Sequence, residues 1–377
     1  MAWLSLADID SVSLKDNHEY FSRPDERILE LVSEKNSDIV VYGAAGKFMR
    51  HVTLMLIRAI RETGGRGQIV HLVSSLRQDP EFDELVKNYQ RCESGRGFVQ
   101  RHSVDLLHSR ESDLKDIPSD SAWVLYGVGY KFKKSGEADE EYARMYRLYG
   151  REIPSLVFSR HQQDCEIVMM GSCNGVSLTP VDRQAPDDAP LVPSFDRPYG
   201  LSILAKEQTL HGLLERPGFR NPSRAVILRG AYFTDLTYGG LETEIQKILK
   251  GEVLDVGPEG QAYFNLYSHR DAAIYMILAA DLVSHPVATF NCSGPTVSVR
   301  EAAVQIAENL KIFHDVKMKA NVSGVPADEH LLADGRRLEE KLGKSLDSLQ
   351  AIIRGQTYWV VNGGFRRGLD HLIGKSL

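Results

Sequence analysis

Apolar and polar positions along the first part of the chain alternate between two rhythms. Short runs of β-branched and aliphatic residues end in glycine or small polar residues, and each gives way to a stretch whose apolar positions recur at helical spacing. The first run lies in Ser37-Asp38-Ile39-Val40-Val41-Tyr42 and ends in Gly43-Ala44-Ala45-Gly46; Val52, Leu54, Met55, Leu56, Ile57 and Ile60 then predict a helix. Gln68–Val73, a unit from Gly97-Phe98-Val99 to Val104-Asp105-Leu106-Leu107, Ala122–Tyr126, Cys165–Met170 and Ala225–Arg229 predict five more strands. Such an alternation of strand and helix predicts an α/β fold with a parallel sheet, helices on both faces and ligands at the carboxyl ends of the strands.

Around that series the pattern changes. Pro24 and Asp25 introduce a helix over Glu26–Val32, while residues 1–17 are expected as a loosely ordered tail. Pro180, Pro186, Pro190, Pro193 and Pro198 forbid regular structure and predict a surface lobe leading to a helix from Tyr199. Leu241–Leu249 reads as a helix ended by Lys250-Gly251, and Asp271 as the cap of the next. His269 is expected in an exposed loop, and Ser298 with Glu301 forms a capping box. Leu331–Leu342 and Ser345–Ile353 predict terminal helices, and the chain has no internal repeats.

Composition narrows the classes. With 377 residues, 42% hydrophobic and 25% charged, the chain can bury a full core. A net charge of −6 spread along the chain gives no electrostatic case for nucleic acid or an anionic membrane as partner. No apolar run approaches the roughly 20 residues of a membrane span, and Met1-Ala2-Trp3-Leu4-Ser5 does not open a signal peptide, so the cytoplasm is the expectation. Cys92, Cys165, Cys173 and Cys292 stand far apart, which favours reduced thiols over a disulfide frame or a zinc site.

The candidate chemistry gathers at the strand ends. Gly43 and Gly46 let the backbone turn tightly and approach a pyrophosphate, whose charge the N–H groups of a helix opening with Lys47, Phe48 and Met49 would hold. Met49 occupies the third glycine position of that motif, and a plain βα turn is the competing reading. After the second strand, Ser74-Ser75-Leu76-Arg77 offers small hydroxyls and a cation where an acid would accept a ribose hydroxyl. That tilts the cofactor from NAD towards NADP, with Arg77 as a solvated loop residue the alternative. Asp105, next to Leu106, is either an acceptor for the adenine amino group or a helix cap; Gly127 and Gly129 mark close backbone approach, with Lys131 just beyond.

Taken together, the strand-Gly-x-x-Gly turn, Val104-Asp105-Leu106-Leu107, Gly171-Ser172-Cys173, the Tyr199 helix, Ile227-Leu228-Arg229-Gly230 and Asn291-Cys292-Ser293-Gly294-Pro295-Thr296-Val297-Ser298-Val299-Arg300-Glu301 resemble the extended short-chain dehydrogenases/reductases, in the NAD-dependent epimerase/dehydratase branch. The resemblance spans roughly residues 38 to 360. It implies a Rossmann-type doubly wound sheet with a smaller C-terminal α+β substrate domain. The implied division is an N-terminal extension with a helix over 1–37, a dinucleotide-binding domain over 38–225 to which later segments contribute, and a mainly substrate-binding domain over 226–377. It also implies NAD or NADP, a sugar-like small-molecule substrate and a possible homodimer.

The family pairs a tyrosine with a lysine four residues on, and a serine or threonine completes the set. Tyr199 matches, but the lysine position is Ile203, and the hydroxyl position is Cys173 with Ser172 beside it. A phenol without a nearby cation titrates near 10 and is a poor base at neutral pH. Lys206 lies ~10 Å along the helix from Tyr199, so Lys131 is the expected substitute. Cys173 is expected as a packing residue rather than a nucleophile. In the substrate half, Tyr232, Asp235 and Tyr238 are candidates for sugar hydroxyls, with a plain turn the competing reading. Two functions remain open: an NAD(P)-dependent oxidoreductase, epimerase or dehydratase, and a non-catalytic cofactor- or sugar-binding protein. A redox-neutral lyase or isomerase with tightly held cofactor is a third possibility.

Overall fold

The first described elements are α1 (Leu14–Phe21) and α2 (Glu26–Glu34), the latter capped by Asp25, whose side chain accepts from the Ile28 N–H. The structure, a computed structural model, describes residues 14–65, 67–75, 80–90, 98–129, 139–193, 198–216, 221–237, 239, 241–257, 262–314 and 320–361. Then come β1 (Ile39–Tyr42), α3 (Lys47–Thr63), β2 (Val70–Ser74), α4 (Pro80–Tyr89), β3 (Val99–Ser103) and β4 (Trp123–Tyr126). A π turn over Tyr146–Glu152 joins α5 (Asp139–Met145) to α6 (Ile153–Phe158), and β5 (Glu166–Ser172), α7 (Pro198–Leu214) and β6 (Arg224–Gly230) follow.

These strands and a later one, β10 (Ala288–Cys292), form a seven-stranded sheet in the order β3-β2-β1-β4-β5-β6-β10, with every neighbouring pair parallel. The chain winds outward from β1 to β3 and then returns to lay β4 against the other side of β1. The carboxyl ends of β1 and β4 therefore flank the topological switch point, where ligands of open α/β sheets bind. Alternation along β1 explains the two-sided core: Ile39 and Val41 pack with α2 and α3, while Val40 and Tyr42 pack with Val157, Phe158, Leu210 and Leu214 on the opposite face.

The remainder of the chain is β7 (Tyr232–Thr234), α8 (Leu241–Leu249), β8 (Val253–Asp255), β9 (Tyr263–Ser268), α9 (His269–Leu278), β10 (Ala288–Cys292), β11 (Thr296–Ser298), α10 (Val299–His314), β12 (Asn321–Ser323), α11 (Arg336–Leu342) and α12 (Leu349–Val361). In a second sheet β9 pairs parallel with β7 and antiparallel with β11, and α8, α10 and α12 share a core with it. Tyr20 and Phe21 of α1 enter this second core, so part of the segment expected as a loose tail is a docked helix.

Three further expectations are corrected. Ser268, not Asp271, caps α9: its hydroxyl accepts from the Asp271 N–H, and the Asp271 carboxylate receives the N–H groups of Leu346 and Asp347. The helix expected from Leu331 begins only at Arg336, because residues 331–333 pair with the proline-rich lobe through Ala185. The last helix starts at Leu349 and runs to Val361. No helix among the described residues is long and apolar enough to cross a membrane.

Candidate functional site

The turn between β1 and α3 is built as its glycines predict. Gly43 has φ +81, and its N–H donates to Val73 O at 2.8 Å. A Cβ on Gly43 would lie 3.3 Å from the Gly127 carbonyl and Val128 N, so the carboxyl ends of β1 and β4 touch backbone to backbone. Gly46 caps α3 with no side-chain hydrogen bond, so no capping side chain stands over the start of that helix. Met49 is accommodated by another glycine: a Cβ on Gly127 would meet Met49 Sδ at 2.1 Å. The methionine is buried in a slot that β4 supplies, and the close packing normally given by the third glycine is restored from the other side.

Lys47 and Gly46 are exposed at the head of α3, while Phe48 packs against Phe233 and His269, with ring centroids 5.1 and 5.6 Å away. At the end of β2, Ser74 is buried and its Oγ has no hydrogen-bond partner among the described residues. An orphaned hydroxyl there, beside a bare helix N-terminus and a left-handed glycine, fits the ribose and pyrophosphate of a dinucleotide. Asp105 is exposed and caps the turn after β3, accepting from Leu107 N at 3.1 Å and facing His108 Nδ1 at 2.9 Å. Leu106 packs on the sheet core. Arg77, Lys131 and Tyr238 lie outside the described residues.

Ser172 ends β5, and its hydroxyl accepts from Asn174 N at 3.2 Å. Cys173 turns inward, its thiol donating to Arg229 O at 3.1 Å, and burial pushes its pKa up to about 12. Its burial and its bond to a main-chain carbonyl are those of a packing thiol. Tyr199 is half-buried in the first turn of α7 beside Val176, Leu191 and Ile203, the last only 3% exposed. Lys206 on the same helix is buried, and its Nζ donates to Met170 O at 2.8 Å. Burial lowers its pKa to about 8. The neighbouring Glu207 forms a buried, two-pronged ion pair with Arg229, whose Nη1 also donates to Ala189 O in the proline-rich lobe.

Tyr232 is half-buried in β7, edge-on to Phe264. Asp235 and His269 depart from expectation. Asp235, read as a binder of sugar hydroxyls, is 4% exposed; its Oδ1 accepts from Thr237 N and Oγ1, and its Oδ2 lies 3.5 Å from His269 Nδ1. His269 is 1% exposed rather than in an open loop, because α9 starts at that residue and lays it against α3. His51 of α3 and His18 of α1 complete the group. Burial above all lowers the pKa values of His51 and His269, with neighbouring imidazoles adding for His51, so both rings are held neutral. Sequence reasoning passed over His18 and His51; the available signal was a histidine set among apolar positions on the inward face of α3.

No family model matches the sequence, and no curated protein matches it. Solved structures do. MoeE5, in complex with UDP-glucose and NAD, is 18% identical with a TM-score of 0.60, covering 87% of this chain and 99% of the other. TunA, an NAD-dependent NDP-hexosamine 5,6-dehydratase of tunicamycin biosynthesis, is 18% identical with a TM-score of 0.59, covering 88% of this chain and 100% of the other. UDP-glucuronic acid 4-epimerase from Bacillus cereus, in complex with UDP-glucuronic acid and NAD, is 15% identical with a TM-score of 0.61, covering 86% of this chain and 99% of the other. At these identities what is shared is the fold: a Rossmann-type sheet carrying a smaller second unit.

Proposed function

We propose that this chain is an extended short-chain dehydrogenase/reductase that binds NAD or NADP across the carboxyl ends of β1, β2 and β4 and acts on a sugar carried by a nucleoside diphosphate. The observation that carries the reading is the β1–α3 turn: a glycine at φ +81 held against Gly127, followed by a helix whose N-terminus has no side-chain cap. Gly43, Gly46 and the first N–H groups of α3 would hold the pyrophosphate, and Ser74 Oγ a ribose hydroxyl. When bound, the nicotinamide supplies hydride transfer to or from the sugar. The proteins of similar fold whose complexes contain UDP-glucose, UDP-glucuronic acid and NAD support that ligand class.

Tyr199 stands at the head of α7, near the end of β5, and in this reading moves the proton of the substrate hydroxyl, with Ser172 as the neighbouring hydroxyl. With isoleucine in the lysine position and Lys206 committed to Met170 O, its cation is proposed to be Lys131. Arg77 is proposed to receive a 2′-phosphate, which favours NADP.

A second reading has its own support. Ile203 is buried where the family has lysine, and Cys173 is tied to a main-chain carbonyl, so a binder that keeps the cofactor without turnover is consistent with both. Titration with NAD(H) and NADP(H), followed by nicotinamide fluorescence, tests the site; absorbance change on adding UDP-glucose or UDP-glucuronic acid separates enzyme from binder. Binding with turnover that falls in Lys131→Met supports the enzyme. Binding with no turnover of any sugar nucleotide leaves the binder, and no binding of any dinucleotide removes both.

A further inference from the structure

Four side chains from distant parts of the sequence meet in the seam between α3, α9, α1 and the turn after β7. His18, His51, Asp235 and His269 are each no more than 5% exposed. Phe21 and Phe48 close over the imidazoles, with Phe21 5.5 Å from the His51 ring and Phe48 5.6 Å from the His269 ring. One ring nitrogen each from His51 and His269 and a carboxylate oxygen of Asp235 lie within 4.8 Å of one another. Neither the dinucleotide reading nor the proton transfer assigned to Tyr199 uses any of the four.

We propose that His51, Asp235 and His269 form a binding site for a divalent transition-metal ion, with zinc the best match to two imidazoles and one carboxylate. Three observations carry this. The first is spacing. Ligands at about 2.0–2.1 Å from a tetrahedral ion stand about 3.3–3.4 Å apart. His51 Nδ1 and His269 Nδ1 face each other at 3.1 Å, His269 Nδ1 lies 3.5 Å from Asp235 Oδ2, and the third edge is longer, His51 approaching that oxygen through Nε2 at 3.8 Å. The second is orientation of the carboxylate. Asp235 Oδ1 is occupied by Thr237 N at 2.7 Å and Thr237 Oγ1 at 3.0 Å, which leaves Oδ2 as the oxygen turned to the imidazoles.

The third is what stands behind the ligands. Metal-bound histidine donates its other ring N–H to a carboxylate, a main-chain carbonyl or water. With Nδ1 on the ion, His51 Nε2 has His18 Nδ1 3.3 Å away as its outer partner, and His18 Nε2 stands 3.8 Å from Glu81 Oε1, an ion-pair separation. Two imidazoles and a carboxylate therefore stand in series behind the ion. The cysteine spacing that argues against a thiolate zinc site is silent here, because no ligand is sulfur. The ion would fasten α3, which carries the bare N-terminus, to α9 and to the strand β7 of the second sheet.

The test uses the full chain without a metal-binding tag and makes no assumption about dinucleotide. Protein stripped with a chelator is titrated with Co2+, whose visible d–d bands report a low-symmetry nitrogen and oxygen shell, and then with Zn2+, read by displacement of the bands and by the thermal midpoint. We expect uptake of a single ion, a higher midpoint with zinc, and Co2+ affinity reduced by more than about tenfold in both Asp235→Asn and His269→Gln. X-ray absorption on the zinc-loaded wild type, which needs no variant to fold, should show imidazole scattering and no sulfur. Failure of the wild type to take up Co2+ would overturn the proposal, as would uptake unchanged in both folded variants or a shell without imidazole.

Discussion

Arg229→Met should destabilise the protein by about 3–5 kcal/mol, the range for removing one partner of a buried ion pair. Wild-type Arg229 Nε donates to Glu207 Oε1 at 3.0 Å and Nη2 to Glu207 Oε2 at 2.8 Å. The two residues are 7% and 5% exposed, so the carboxylate left behind has little water to turn to. Nη1 also gives up its bond to Ala189 O at 2.6 Å, freeing the proline-rich lobe from β6. Glu207→Leu combined with Arg229→Met removes both charges and should recover most of the loss, ending within about 1–2 kcal/mol of wild type, the residual cost being the orphaned Ala189 carbonyl. Urea unfolding of the wild type, both single variants and the double variant at neutral pH measures the coupling. A single-variant cost under about 1 kcal/mol, or a double variant no better than Arg229→Met, would refute the reasoning that this pair is dry and interdependent.

Gly43→Ala should cost about 2 kcal/mol, from left-handed backbone at φ +81 and from a Cβ 3.3 Å from the Gly127 carbonyl, and should weaken dinucleotide binding; thermal unfolding and fluorescence titration read the two effects. Ser74→Ala should do the opposite to the unliganded protein, leaving its stability equal or higher because an unpaired buried hydroxyl is gone, while dinucleotide affinity falls roughly fivefold. Lys206 gives a pH signature. Its folded pKa is about 8 against an ordinary 10.5, so the unfolded chain binds the extra proton between those values and stability rises with pH there, by on the order of 3 kcal/mol. Lys206→Met should flatten the stability profile across that window, and an unchanged slope would show that the ammonium is not buried.

The main sheet was legible because its signals are local. Ile39–Tyr42 and the two glycines after it carry strand, turn and helix start within a few residues, and the same holds for Trp123–Tyr126 before Gly127. The order of such units fixes the switch point. What stayed hidden depends on partners far away in sequence. Met49 reads as a defect in the glycine motif until Gly127 is seen to make room for it. Asp271 reads as a helix cap because aspartate favours that position, but Ser268 holds it and frees the carboxylate for Leu346 and Asp347. His269 reads as exposed because a polar Ser-His-Arg-Asp stretch resembles a loop, and the partners that bury it come from residues 21, 48, 51 and 235. No local period encodes such a meeting.

The docking of the N-terminal helix has a consequence for synthesis. Asn17 Oδ1 accepts from Leu236 N at 3.2 Å, and Tyr20 donates its hydroxyl to the Asp347 carboxylate. At typical translation rates of about 5–20 residues per second, those partners leave the ribosome tens of seconds after the helix does. Nascent chains stalled before Asp347 should therefore remain open to protease at Leu14–Phe21, whereas released full-length protein should not. The first of the described helices is among the last to find its place, and until then its apolar face and that of α3 are surfaces for a chaperone to guard.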